Sequence, residues 1–369
     1  MINLERLIDF EKLSYNWKKI ERIDEFAVLK KCEQNPRWHS EGNAWKHTQL
    51  VCEEMVKILK SRGFKATSSV TDSTKVLMTA ALFHDIGKGV TTEFKKGNWH
   101  AYGHEIQGER ITRLLLWDED INFREAVCSL VRWHMDPLRI FENSSKDYIE
   151  KVLRLKKVCD FSLLVILKMA DVAGSIQQDI ASKDTDMEKL KFLENINSQI
   201  PNSLPLPGTL PWENLKKVVV VMMIGLPGAG KDTYIKKEVE LEGLTVTVCR
   251  DDIRAELGFC KSGEKIVGTR YQEDKVSKVF NDRVVEAAEN NKMIVINNIN
   301  LKKGYRDDIH ELLKKYNPWY TYIYVQADSL EKNYMRRHGQ IDEEVFDKMI
   351  MSFDWPYAPE YDEMKIVTN

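Results

Sequence analysis

Val218-Val219-Val220-Val221-Met222-Met223-Ile224-Gly225-Leu226-Pro227-Gly228-Ala229-Gly230-Lys231-Asp232-Thr233 is the stretch that decides how the second half of the chain folds. Its apolar run is short, unbroken and ends at a glycine, which is how a strand buried on both faces reads. Glycines and Lys231 follow, and a helix is expected from about Asp232. Strand, glycine arch, Gly-Lys and helix together form a phosphate-binding loop, or P-loop. In such a loop the backbone N–H groups of Gly225, Gly228, Ala229 and Gly230 cradle phosphates at a helix N-terminus, and Lys231 reaches the outer phosphates. One position departs from the pattern. The residue after Lys231, usually a Ser or Thr with its hydroxyl on Mg²⁺, is Asp232, and Thr233 comes next. A carboxylate is also a hard Mg²⁺ ligand, directly or through water.

Downstream, Thr245–Cys249, Met293–Ile296 and Tyr320–Val325 read as further strands, separated by helical stretches such as Asp274–Glu289 and Tyr305–Tyr316. Strands alternating with helices predict an α/β domain on a parallel sheet. Upstream, Pro201 to Pro211 holds four of the chain's ten prolines, which reads as a semi-rigid linker. Before it the periodicity is helical in Val76–His84, Arg124–His134 and Phe161–Val172, and no strand is expected ahead of residue 200. The predicted organisation is two-domain: an all-α domain over 1–200, a linker over 201–216 and an α/β domain over 217–369.

Six of the eight histidines fall in the first 134 residues. His47, the adjacent pair His84-Asp85, His104, His134 and then Asp171 occur in order on consecutive helical segments, with Gly87-Lys88 just after the pair. Imidazole and carboxylate suit Zn, Mn, Fe, Co or Ni, and a carboxylate between two histidine sets can bridge two ions. Such a pair activates water against a phosphoryl centre. His39 and His100 match no position of this pattern and read as structural or surface residues.

In the α/β half, Cys249-Arg250-Asp251-Asp252-Ile253-Arg254 lies at the carboxyl end of the second strand, where ligands of open α/β sheets collect. A carboxylate there could accept the proton of an attacking hydroxyl; acids at a helix N-terminus are equally ordinary. Lys332-Asn333-Tyr334-Met335-Arg336-Arg337 is either an exposed basic helix face or a cationic lid over donor phosphates.

His47…His84-Asp85…Asp171 resembles the ligand set of the HD phosphohydrolase superfamily, and His104 and His134 resemble the extra histidines of its binuclear members. By that resemblance Asp85 is catalytic as well as a ligand, and Lys88 touches the substrate phosphate. The P-loop followed by Arg-Asp-Asp-x-x-Arg resembles phage-type 5′-OH polynucleotide kinases. This implies Asp251 as general base, Arg254 on the acceptor phosphate, and Arg336, in preference to Arg337, as the lid arginine beside Lys231. Such kinases often carry an acid near the place of Asn298; its absence here, with Asp232 on the P-loop, suggests that the carboxylate near Mg²⁺ has moved. The order of the modules resembles the bacterial HD-Pnk family of end-healing enzymes from about residue 30 onward. The resemblance implies removal of 2′,3′-cyclic phosphate or 3′-phosphate ends and phosphorylation of 5′-OH ends of RNA or DNA. ATP or another NTP with Mg²⁺, one or two transition ions and a separate ligase are implied with it. Phe353–Glu363 resembles the tail of this kinase group and receives no chemistry.

The formal net charge of -2 excludes a basic body that coats nucleic acid, though not an enzyme gripping one terminus. Trp99, Trp133 and Tyr271 could stack on a base or serve as core or rim residues. The six scattered cysteines, a polar N-terminus and the lack of a long apolar run predict a cytoplasmic protein without a membrane span. Two alternatives stay open: an HD nucleotidase fused to a small-metabolite kinase, and a nucleotide-sensing regulatory protein.

Overall fold

The computed structural model describes residues 2–64, 72–142, 148–199, 218–240, 243–259, 269–290, 292–326, 329–336 and 341–368. The predicted linker, Cys260 and Arg337 lie outside the described residues. The chain divides into two compact units, Met1–Thr209 and Leu210–Asn369.

The first unit is helical, with α1 (Ala44–Ser61), α2 (Ser73–Phe83), α3 (His104–Leu115), α4 (Ile121–Trp133), α5 (Phe161–Gly174) and α6 (Ile180–Gln199). Side chains of Asn43, Asp72, Asp120 and Asp160 accept backbone N–H groups in the first turns of α1, α2, α4 and α5, fixing where each helix starts. α2 and α5 are buried almost all round, so their sequences are apolar on every face. Gly174 permits a close crossing: a Cβ there would stand 2.7 Å from the Val51 nitrogen of α1. The expectation of no strand before residue 200 is corrected. β1 (Ile8–Asp9) pairs antiparallel with β2 (Ser14–Tyr15), and β3 (Glu93–Lys95) with β4 (Asn98–His100). Strands of two or three residues are too short to show a period.

The second unit is a parallel sheet of β5 (Val219–Ile224), β6 (Thr245–Val248), β7 (Met293–Asn297), β8 (Trp319–Gln326) and β9 (Glu363–Thr368), in the order β6-β7-β5-β8-β9. Val221, Met223, Val295, Ile323 and Val325 form a core face with Ala229 and Ile235. The helices are α7 (Lys231–Tyr234), which widens into a π-turn over Ile235–Val239, then α8 (Arg250–Glu256), α9 (Arg270–Glu289), α10 (Lys303–Leu313), α11 (Leu330–Met335) and α12 (Glu343–Met351). β9 was not expected from sequence, because its edge position lets Glu363 and Lys365 stay exposed and hides the strand pattern. The tail before it has a structural task. Phe353 and Trp355 pack on Tyr324, with ring centroids 5.6 and 5.1 Å away. The fully buried Arg306 donates to Glu360 at 2.9 Å and to the Asn300 and Leu301 carbonyls at 3.0 Å, fastening the loop after β7 to that tail.

Among the described residues no helix is long and apolar enough to cross a membrane.

Candidate metal centre and phosphate-binding cleft

The structure brings together every predicted metal-ligating residue of the first unit. His47 comes from α1, His84 and Asp85 from the end of α2, His104 from the start of α3, His134 from the end of α4 and Asp171 from α5. The donor atoms of His47, His84 and Asp171 lie within 4.8 Å of one another, as do those of Asp85, His104 and His134. Asp85 stands between the groups. Its Oδ2 is 3.3 Å from His84 Nε2 and 3.7 Å from His47 Nε2, while its Oδ1 is 3.3 Å from His104 Nε2 and 3.8 Å from His134 Nε2.

Three of the rings are held in one tautomer by backbone. Nδ1 of His84, His104 and His134 donates to the carbonyls of Ala81, Ala101 and Val131 at 2.9, 2.8 and 2.8 Å, which leaves each Nε2 facing the centre. Burial holds His104 and His134 below the ordinary imidazole range, so both are neutral. Their Nε2 lone pairs then face each other at 3.3 Å, and His84 Nε2 is buried without a hydrogen bond. A neutral pair in that arrangement repels unless a cation lies between, so the donor set fits one or two divalent transition ions. Burial opposes charge on Asp85 and Asp171. Lys88 at 2.6 Å from Asp85 Oδ2 and Lys168 at 2.6 Å from Asp171 Oδ2 outweigh it and, with the nearby histidines, hold both carboxyls well below the usual range.

In the second unit the P-loop residues Gly228, Gly230, Lys231, Asp232 and Thr233 line a cleft with Asp251, Arg254, Asn297 and Arg336. Gly225 adopts φ +153°, and a Cβ on it would meet the Val325 carbonyl oxygen at 2.4 Å. Lys231 Nζ curls onto the Gly225 and Leu226 carbonyls at 2.8 and 3.0 Å, and Arg336 Nη1 donates to Gly228 O at 3.0 Å. Arg254 donates to Asp251 Oδ1 at 2.6 Å and grips Glu273 with two bonds of 2.8 Å. The Asp251 side chain is 68% exposed and stands open to the cleft.

The HD domain family matches residues 46–189 and the AAA domain family matches residues 220–356. The chain carries an HD domain followed by a P-loop kinase-like domain. Among solved structures, a Pnkp1/Rnl/Hen1 complex is similar at 20% identity over 36% of this chain and 43% of that one, with a TM-score of 0.31. A Pnkp1/Rnl/Hen1 RNA repair complex is similar at 17% over 41% and 51%, with a TM-score of 0.34. Kti12 of Chaetomium thermophilum with ADP-AlF3 is similar at 12% over 40% and 88%, with a TM-score of 0.30. The chain thus spans about half the length of the first two.

Several contacts in both domains were not legible in sequence. In the HD domain, Lys168 meets Asp171 one turn away on α5, and Gln34 accepts from Lys88 across 54 positions of chain. His39, set aside by pattern, packs its ring 4.5 Å from that of His47. In the kinase-like domain the partner of Asp232 is Asn297, which donates to it at 2.7 Å, whereas Asn298 accepts from the Arg250 N–H. Glu273 of α9 carried no motif signal at all. Of the aromatic residues considered for base stacking, Tyr271 is 66% exposed, while Trp99 packs against Phe94 and Arg132 lies over Trp133.

Proposed function

We propose that the chain heals nucleic-acid ends at two sites, removing 2′,3′-cyclic phosphate or 3′-phosphate in the HD domain and phosphorylating 5′-OH ends in the kinase-like domain. The observation that carries this reading is the shared cleft in which exposed Asp251, joined to Arg254, opens toward the P-loop. A kinase for a bulky acceptor needs a base outside the nucleotide cradle and a cation for the acceptor's own phosphate. Asp251 accepts the proton as the 5′ oxygen attacks the γ-phosphorus of ATP or another NTP. The bond to the β–γ bridging oxygen breaks, and Lys231 and Arg336 carry the charge that moves to the phosphoryl oxygens. Mg²⁺ would be held through Asp232, with Asn297 fixing that carboxylate's rotamer.

In the HD domain His47, His84, Asp85 and Asp171 would hold one ion, and Asp85, His104 and His134 a second. When bound, such ions supply a water of lowered pKa and polarise the phosphoryl oxygens. Lys88 meets the phosphate charge of the substrate, and Lys168 keeps Asp171 ionised. The products, a 3′-OH and a 5′-phosphate, are the ends a separate ligase joins.

The test is a short RNA with 5′-OH and 2′,3′-cyclic phosphate ends, given ATP, Mg²⁺ and Ni²⁺ or Mn²⁺. Asp85→Ala should lose only 3′ processing and Lys231→Ala only 5′ phosphorylation. Wild type leaving both ends unchanged sinks the proposal and turns the search to small hydroxylated metabolites.

A further inference from the structure

His47 differs from the other three histidines in how its ring can be oriented. His84 and His134 stand at helix C-termini, where last-turn carbonyls are free to accept a ring N–H. His104 begins its helix and uses the carbonyl of Ala101, just ahead of it. His47 is one turn inside α1, where carbonyls are taken by the helix ladder and Ala44 O also accepts from the Thr48 hydroxyl at 2.9 Å. Its orienting group has to come from outside the helix.

Glu41 supplies it. Its side chain is fully buried; its Oε1 accepts from His39 Nδ1 at 2.9 Å and stands 2.8 Å from His47 Nδ1, an ion-pair contact whose angle falls short of an aligned hydrogen bond. Oε2 accepts the Ile176 N–H at 2.9 Å, two residues beyond the end of α5. The same stretch is sewn to that turn by backbone: Ser40 donates to the Ile176 carbonyl at 2.7 Å, and Gln178 to Arg37 at 3.3 Å. Glu41 therefore touches the element that presents His47 and the segment that follows Asp171.

We infer that Glu41 is a positioning residue of the metal centre, turning His47 Nε2 toward the ion and setting α1 and α5 in register so that His47 and Asp171 reach it together. The inference rests on the metal-centre reading of the HD domain. It reaches beyond the ligand set to a carboxylate that meets the ion only through His47. An amide at position 41 keeps the shape but not the charge or both acceptors: its NH₂ would face either the Ile176 N–H or the two ring nitrogens. Loss of such an outer partner typically weakens metal binding about 10- to 100-fold.

The experiment uses the full chain, stripped of metal, as wild type, Glu41→Gln, Glu41→Asp and Asp85→Ala. Free Mn²⁺ is followed by electron paramagnetic resonance, Co²⁺ by its visible absorption, and each variant's fold by thermal melting. Glu41→Gln is expected to keep a cooperative melt, bind Mn²⁺ about 10- to 100-fold more weakly and give a displaced Co²⁺ spectrum, with Glu41→Asp between it and wild type. A folded Glu41→Gln with wild-type affinity and an unchanged Co²⁺ spectrum overturns the inference. Should Glu41→Gln fail to fold, the same result in Glu41→Asp overturns it. Wild type binding no better than Asp85→Ala removes the metal centre itself, and the inference with it.

Discussion

At the scale of single residues, the kinase-like cleft sets the proposed base apart from the proposed phosphate cradle. Among the described residues Asp251 bonds to Arg254 and to none of the P-loop residues proposed to hold donor phosphates. Asp251→Asn is expected to lower the rate of 5′ phosphorylation by about 10²- to 10⁴-fold, the range of a lost general base, with the ATP dissociation constant unchanged. Equal losses in nucleotide binding and turnover would show that Asp251 only shapes the cleft. Asp232 makes a different prediction. Its bond to Asn297 places a carboxylate where a hydroxyl is usual, so Asp232→Ser should raise the Mg²⁺ concentration for half-maximal activity several-fold. Full activity at limiting Mg²⁺ would count against this. Asp232 could be read from sequence because it sits inside a contiguous motif. Asn297 could not, since a bond across 65 positions has no signature along the chain.

At the scale of elements, the helices and strands that present the candidate site residues were readable where their chemistry is local. The apolar run of β5 and the all-round apolar α2 and α5 announce themselves by composition, and the six residues gathered at the candidate metal centre by their order. What stayed hidden depends on partners distant in the chain: Glu41 against Ile176, Arg306 against Glu360, and an edge strand paired on one side only. The crossing of α1 and α5 tests how tightly one such contact is drawn. Gly174→Ala would push a methyl to 2.7 Å from the Val51 nitrogen and 2.8 Å from its Cα. Backbone cannot yield as a side chain can, so the HD domain should lose about 1–3 kcal/mol, the usual cost of overpacking. The check is a lowered melting temperature together with weakened metal binding; an unchanged melt would mean that the helices part freely.

At the scale of the whole molecule, acidity acts through the buried centre. His39, His104 and His134 are held below the ordinary imidazole range chiefly by burial, His39 at about 4. An unfolded chain binds protons at these rings below a pH of about 6.5, and the folded chain resists, so stability drains away as pH falls through that window. Asp85 and Asp171 are depressed, so their contribution is complete above a pH of about 4 and is lost only below it. The metal-free protein should therefore show a melting temperature that declines from pH 6.5 to 4 and then drops more steeply. A flat profile between those values would contradict the burial of the rings. The order of strands in the second unit has a kinetic consequence. Val220 of the central strand pairs with Ile294 and Tyr320, so β5 gains nothing from its neighbour in sequence, β6. Long loops must close before any hydrogen bond rewards them, whereas α3 and α4 follow one another and pack directly. Refolding from denaturant should therefore run in two phases, with helical signal returning first and nucleotide binding last.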